Sequence, residues 1–153
     1  MGFSQGASMA SLLQLLLERP HLSPIMNGIS HSPFKFSIIV SGFEPRDPQK
    51  LAWYTNSYPV LQPPVQEQQP DAQPDVESSA NGQSSEFIHG VQGPSMHVIG
   101  RNDVIITPEQ SDILLKHYSF KTPTVFYHDG GHYLPSNAAS RQAYKAFVQS
   151  FQP

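Results

Sequence analysis

GFSQGASMASLLQLLLE, residues 2–18, sets a small-residue turn around one serine directly ahead of a run of helix formers. Gly2-Phe3-Ser4-Gln5-Gly6 fits the pattern G-x-S-x-G, a tight strand-to-helix turn whose small neighbours leave the serine hydroxyl exposed. Glycine is expected at both ends of the pattern because side chains there would clash. From 5 to 18, Ala7, Ala10, Leu12, Leu13, Leu15, Leu16 and Leu17 carry strong helix propensity and Pro20 ends the run, which predicts a mostly buried helix. Five residues are a short pattern, and a glycine-serine turn that only caps a helix would read the same way. The rest of the chain decides between the two.

Downstream, KFSIIVSGF (35–43) is β-branched, aromatic and almost continuously apolar, the composition of a strand covered on both faces, as in a parallel sheet. Residues 95–99 and 122–127 read as two more strands. A helix over 107–118 is opened by Thr107-Pro108-Glu109, with threonine as cap and proline in the first turn. A closing helix over 137–151 has Ala138, Tyr144, Phe147, Val148 and Phe151 as its expected inward face. Between them, residues 60–85 are rich in Pro, Gln and Ser, carry several acids and hold no Lys or Arg, so they read as a disordered insertion. Trp53, Tyr54 and Tyr58 just before it suggest a lid or a short helix. Strands alternating with helices give an α/β fold with a parallel sheet of about three strands flanked by helices. At 153 residues, 1–153 fits a single domain, since these commonly run ~100–200 residues.

A net charge of -3 without a basic run gives no electrostatic footprint for nucleic acid or anionic lipid. The longest apolar stretch, 12–17, is broken by Gln14 and far shorter than the ~20 residues of a membrane span. Neither nucleic acid nor membrane is expected as a partner, and a cytoplasmic location, with the nucleus also open, is the default. With no cysteine there is no disulfide, zinc thiolate or thiol nucleophile. No metal cluster emerges and no cofactor is expected.

A serine hydroxyl is a weak nucleophile, so it needs a histidine base, and that histidine needs a carboxylate to fix its tautomer. Asp103 follows the strand MHVIG in the loop GRNDVI, and His132 follows TVFYH in HDGGHYLP. Sites of open α/β sheets lie beyond the carboxyl ends of the strands, so Ser4, Asp103 and His132 fall on one edge, in the chain order Ser, Asp, His. The bland reading of Asp103 is a turn or cap carboxylate. His97, inside a strand, reads as a core residue; His21, His31, His89 and His117 read as loop or surface positions. His128 beside Asp129 is the rival base, and His132 is preferred because Gly130-Gly131 supplies flexible backbone. The backbone amide of Gln5 is one candidate oxyanion-hole donor.

GFSQGA, FKFSIIVSGF, PSMHVIGRND and HDGGHYLP in this order resemble the small serine hydrolases often called FSH hydrolases, over residues 2–58 and 94–151. The resemblance implies a partial α/β-hydrolase fold with its N-terminal strands missing, so that 1–153 is the C-terminal part of such a domain. It assigns Ser4 as nucleophile, Asp103 as acid and His132 as base, and Pro135 fits the family's GGH-x-x-P ending. It implies a small-molecule ester or thioester substrate of short to medium acyl chain, and for some relatives a place in secondary metabolism. Acyl-protein thioesterases also carry GFSQG, but with a second glycine where Ala7 stands here. About a hundred residues that family members carry before the elbow have no counterpart, including the second oxyanion loop. The alternative expectation is therefore an inactive truncated hydrolase fragment, with self-association through an exposed sheet edge.

Overall fold

A computed structural model describes residues 1–55, 90–118 and 123–152. A two-residue strand, β1 (Gly2–Phe3), runs into α1 (Gln5–Glu18), and two short 3-10 turns lead to β2 (Ser37–Val40). Then come α2 (Pro48–Thr55), β3 (Ser95–Gly100), α3 (Pro108–Leu115), β4 (Thr124–His128) and α4 (Ala138–Gln149). The four strands are all parallel in the order β1-β2-β3-β4. To the parallel sheet of about three strands that the sequence predicts, β1 adds a short fourth, pairing Gly2 with Ile39 and Phe3 with Val40. Two residues are too few to show the alternation that marks a strand in sequence.

Side chains of a strand alternate between faces, and β2 shows how the sheet divides the core. Ile39 packs with Leu12, Leu15 and Leu16 of α1, Trp53 and Tyr54 of α2, and Leu114 of α3. Its neighbours Ile38 and Val40 face the other way with Met96 and Val98, against Phe147 of α4. All four residues of β2 and all six of β3 are buried, as a parallel sheet covered on both faces requires. Each aliphatic side chain taken fully from water contributes about 1.5–3 kcal/mol. Polar ties add direction: the phenols of Tyr54 and Tyr118 both donate to Ser11 Oγ, at 2.9 and 2.8 Å, and pin α1 to the segments around it. Burial raises the pKa of both tyrosines.

Several boundaries move for local reasons. The strand expected over 35–43 is only Ser37–Val40, because Ser41 takes φ 47° and turns the chain out of the sheet. α3 begins one residue after Thr107, which caps it: Thr107 Oγ1 accepts from the Gln110 amide at 3.4 Å and Gln110 Oε1 from the Thr107 amide at 3.0 Å. Asn137 caps α4 by accepting from the Ser140 amide at 2.9 Å. Ala138, expected inward, is exposed in that first turn, and Ala143 packs inward instead. Trp53 and Tyr54 lie on the short helix α2, both buried; Tyr58 and the insertion 60–85 lie outside the described residues.

Candidate active site

The carboxyl ends of β1, β3 and β4 deliver one side chain each to the same edge of the sheet. Ser4 stands between β1 and α1, its amide bonded to the Val40 carbonyl at 2.9 Å. Its backbone, φ 53° and ψ -122°, is in a region that non-glycine residues rarely occupy. Although it holds the N-cap position of α1, its side chain makes no capping bond. The hydroxyl is instead 3.0 Å from Nε2 of His132, 128 residues away in the chain. A plain helix cap would turn that oxygen back toward the first-turn amides.

Only one of the two glycines of the pattern is there for space. A Cβ on Gly2 would sit 2.2 Å from the Gly6 carbonyl oxygen and 2.7 Å from Ala7 Cα, whereas a Cβ on Gly6 meets nothing within 4 Å. The expected clash at both is thus corrected at Gly6. Gly2→Ala is expected to lower stability by about 1–3 kcal/mol as the first turn of α1 is forced away. Gly6→Ala, which removes a poor helix former, is expected to hold or raise stability. Urea unfolding midpoints of the two variants check this, and equal losses would show that the turn responds to helix propensity and not to crowding.

Asp103 follows β3, its amide returning to the Gly100 carbonyl at 3.2 Å. Oδ1 accepts from the Ile105 and Ile106 amides, both at 2.9 Å, and Oδ2 lies 2.8 Å from Nδ1 of His132. Burial opposes ionisation of this carboxyl, whose side chain has no exposure, yet the bonds from the Ile106 amide, His132 and the Ile105 amide outweigh it and hold the pKa below the ordinary value.

His132 is carried by the loop after β4, and that loop is tied to the Asp103 loop. The Arg101 amide donates to the His128 carbonyl at 2.8 Å, the Asn102 amide to the Gly130 carbonyl at 3.1 Å, and Asn102 Nδ2 to the Asp129 carbonyl at 2.6 Å. Gly100 permits the contact, since a Cβ there would sit 2.7 Å from the Gly131 carbonyl oxygen. The glycine pair works differently from the sequence expectation. Neither Gly130 nor Gly131 takes a positive φ, and a Cβ on Gly130 would meet the outer end of the exposed Tyr133 ring, which would have to swing aside. On its other side the imidazole meets the Phe3 ring, with centroids 4.8 Å apart.

The remaining histidines sort by environment. His128 is buried, its Nδ1 accepts from the Gly130 amide at 3.2 Å, and burial lowers its pKa. His97 is buried in β3, edge-on to Tyr118, with its pKa lowered by burial to about 3. His117 departs from its expected surface role: it is half-buried and paired with Glu44. His21 and His31 are exposed, and His89 lies outside the described residues.

With Asp103 accepting from Nδ1, His132 presents Nε2 to Ser4 as an acceptor, the tautomer that can take the serine proton. The amide of Gln5, first residue of α1, has no carbonyl one turn earlier in the helix to bond. It opens the helix beside Ser4 and is available to a developing negative charge. Phe3, Val104, Ile105, Tyr133 and Leu134, neighbours of the three residues in the chain, are all exposed apolar or aromatic side chains.

The sequence profile of the family described as "Serine hydrolase (FSH1)" matches residues 1–144. Esterase OVCA2 of Danio rerio is 30% identical over 154 residues, covering 99% of this chain and 49% of that protein. Esterase OVCA2 of Xenopus tropicalis is 27% identical over 151 residues, with 99% and 47% covered. Esterase AGAP003155 of Anopheles gambiae is 29% identical over 149 residues, with 97% and 40% covered. The chain spans about half the length, or less, of these curated relatives.

Proposed function

This chain belongs to the FSH1 serine hydrolase family, and from that premise we propose that it hydrolyses a carboxylic ester or thioester of small to medium acyl chain through Ser4, Asp103 and His132. Ser4 Oγ attacks the carbonyl carbon while His132 Nε2 takes its proton. Asp103 keeps His132 in the right tautomer and faces the imidazolium that forms. The Gln5 amide donates to the oxyanion; removing one such donor costs on the order of 10²–10³ in rate. The tetrahedral intermediate expels the alcohol or thiol, which receives the proton from His132. Water, deprotonated by the same nitrogen, then releases the acid from the acyl-enzyme and restores Ser4.

The observation that carries this reading is the hydrogen-bonded chain from Ser4 through His132 to Asp103, 3.0 and 2.8 Å, with the serine hydroxyl free of helix capping. Names of the relatives support an ester substrate, and the apolar residues flanking the site suit an acyl chain better than a charged group.

Fluorophosphonates label only an activated serine, so they test the reading without knowledge of the natural substrate. The purified 153-residue chain is expected to be labelled, with labelling abolished in Ser4→Ala and in His132→Ala. Soluble, folded chain that takes no label would instead support an inactive hydrolase-derived fragment.

A further inference from the structure

Ser41 is, with Ser4, one of two non-glycine residues at positive φ among the described residues. It sits where three strand ends meet. Its amide bonds to the Val98 carbonyl at 2.9 Å, and the carbonyl just before it, Val40, accepts from Ser4 at 2.9 Å. The segment it begins is clamped on both sides, by Ser111 Oγ on the Gly42 carbonyl at 2.8 Å and by Ser8 Oγ on the Phe43 carbonyl at 2.6 Å. Such clamping is what allows a strained φ of 47° to persist. Glycine would hold that φ without penalty, and Gly42 is its next neighbour, yet the strained position carries a side chain.

That side chain is buried, 1% exposed, and its Oγ has no hydrogen-bond partner among the described residues. A buried hydroxyl without a partner is rare enough to require an explanation. The nearby carboxylate offers one. Oδ1 of Asp103 already accepts two amide hydrogens, whereas Oδ2 accepts only from His132. Oδ2 therefore has room for a second donor.

We propose that Ser41 is a positioning residue for Asp103, its hydroxyl standing at the end of β2 to donate to Oδ2 as His132 takes the Ser4 proton. This rests on the hydrolase reading for its role in turnover, though not for the contact itself. The Ser41 hydroxyl makes no hydrogen bond of good geometry in this structure, yet it stands near enough to Asp103 to contribute to the low pKa of that carboxyl. His128, another buried titratable group, which feels the charge of Asp103, has its Nδ1 occupied by the Gly130 amide.

Ser41→Gly and Ser41→Ala separate the hydroxyl from the backbone. Both remove the oxygen, but glycine also relieves the strain, so its stability is expected to match or exceed wild type. Labelling by fluorophosphonate is expected to slow roughly tenfold in both, the low end of what a hydrogen bond to a charged group is worth. The far-downfield proton resonance of His132 Nδ1 is expected to shift further downfield in both, because Oδ2 then keeps more of its charge for the imidazole. Wild-type labelling rate and an unshifted resonance in Ser41→Gly would overturn the proposal and leave Ser41 a turn residue. If the wild-type chain takes no label, the hydrolase reading fails, and the resonance alone decides the contact: shifted in Ser41→Gly it stands, unshifted it falls.

Discussion

Asparagine in place of Asp103 is expected to slow fluorophosphonate labelling of Ser4 by about 10⁴ while leaving the fold in place. The reason lies in how the carboxylate divides its work. Oδ1 accepts from the Ile105 and Ile106 amides at 2.9 Å each, and Oδ2 faces His132 Nδ1 at 2.8 Å. An amide has one acceptor oxygen and one donor nitrogen. The two backbone N–H groups keep the oxygen, which sends the NH₂ toward Nδ1. The imidazole must then carry its hydrogen on Nε2 and donate it to Ser4, the opposite of what a base requires. Asp103→Ala makes a useful contrast, since it leaves the buried Ile106 amide unpaired at about 1–3 kcal/mol, and is expected to lower the urea midpoint where the asparagine variant does not. Labelling of Asp103→Asn at the wild-type rate would remove Asp103 from the mechanism.

The α/β class and the helices were legible because they have long-period signals. α1 ends where Pro20 predicts, and Thr107 and Asn137 cap α3 and α4. The loops that meet at the sheet edge were legible from topology, since parallel strands send all their carboxyl ends the same way. The relationships that depend on close approach between distant residues were not. His97 reads as core and is 2% exposed, but nothing near His117 announces Glu44, 73 residues away. Gly130 reads as flexibility in the sequence, yet its φ is not positive and the end of the Tyr133 ring lies against it. Ser41 looks like one more residue of an apolar strand, though its φ ends that strand. A local pattern records propensity; which atoms collide or lie unpaired is decided by residues distant in the chain.

Acid is expected to unfold this protein over a window set by His97. The imidazole lies in β3 between Ile39 and Val125, its Nε2 has no hydrogen-bond partner among the described residues, and burial brings its pKa down to about 3. In the unfolded chain it titrates near 6.5. Above that pH both states are neutral and the native fold keeps its full stability. Below it the unfolded chain binds a proton that the folded chain refuses, so stability falls by up to 1.36 kcal/mol per pH unit until the folded value is reached. Burial lowers the pKa of His128 as well, which adds a loss of the same sign, whereas the low pKa of Asp103 costs stability only below about pH 4, where the unfolded carboxylate takes its proton. Between pH 7 and 4, wild type is thus expected to lose about 2–3 kcal/mol more than His97→Gln in urea unfolding, a large share of the 5–15 kcal/mol typical of a native domain. Parallel curves for the two proteins would mean that His97 reaches a proton in the folded state.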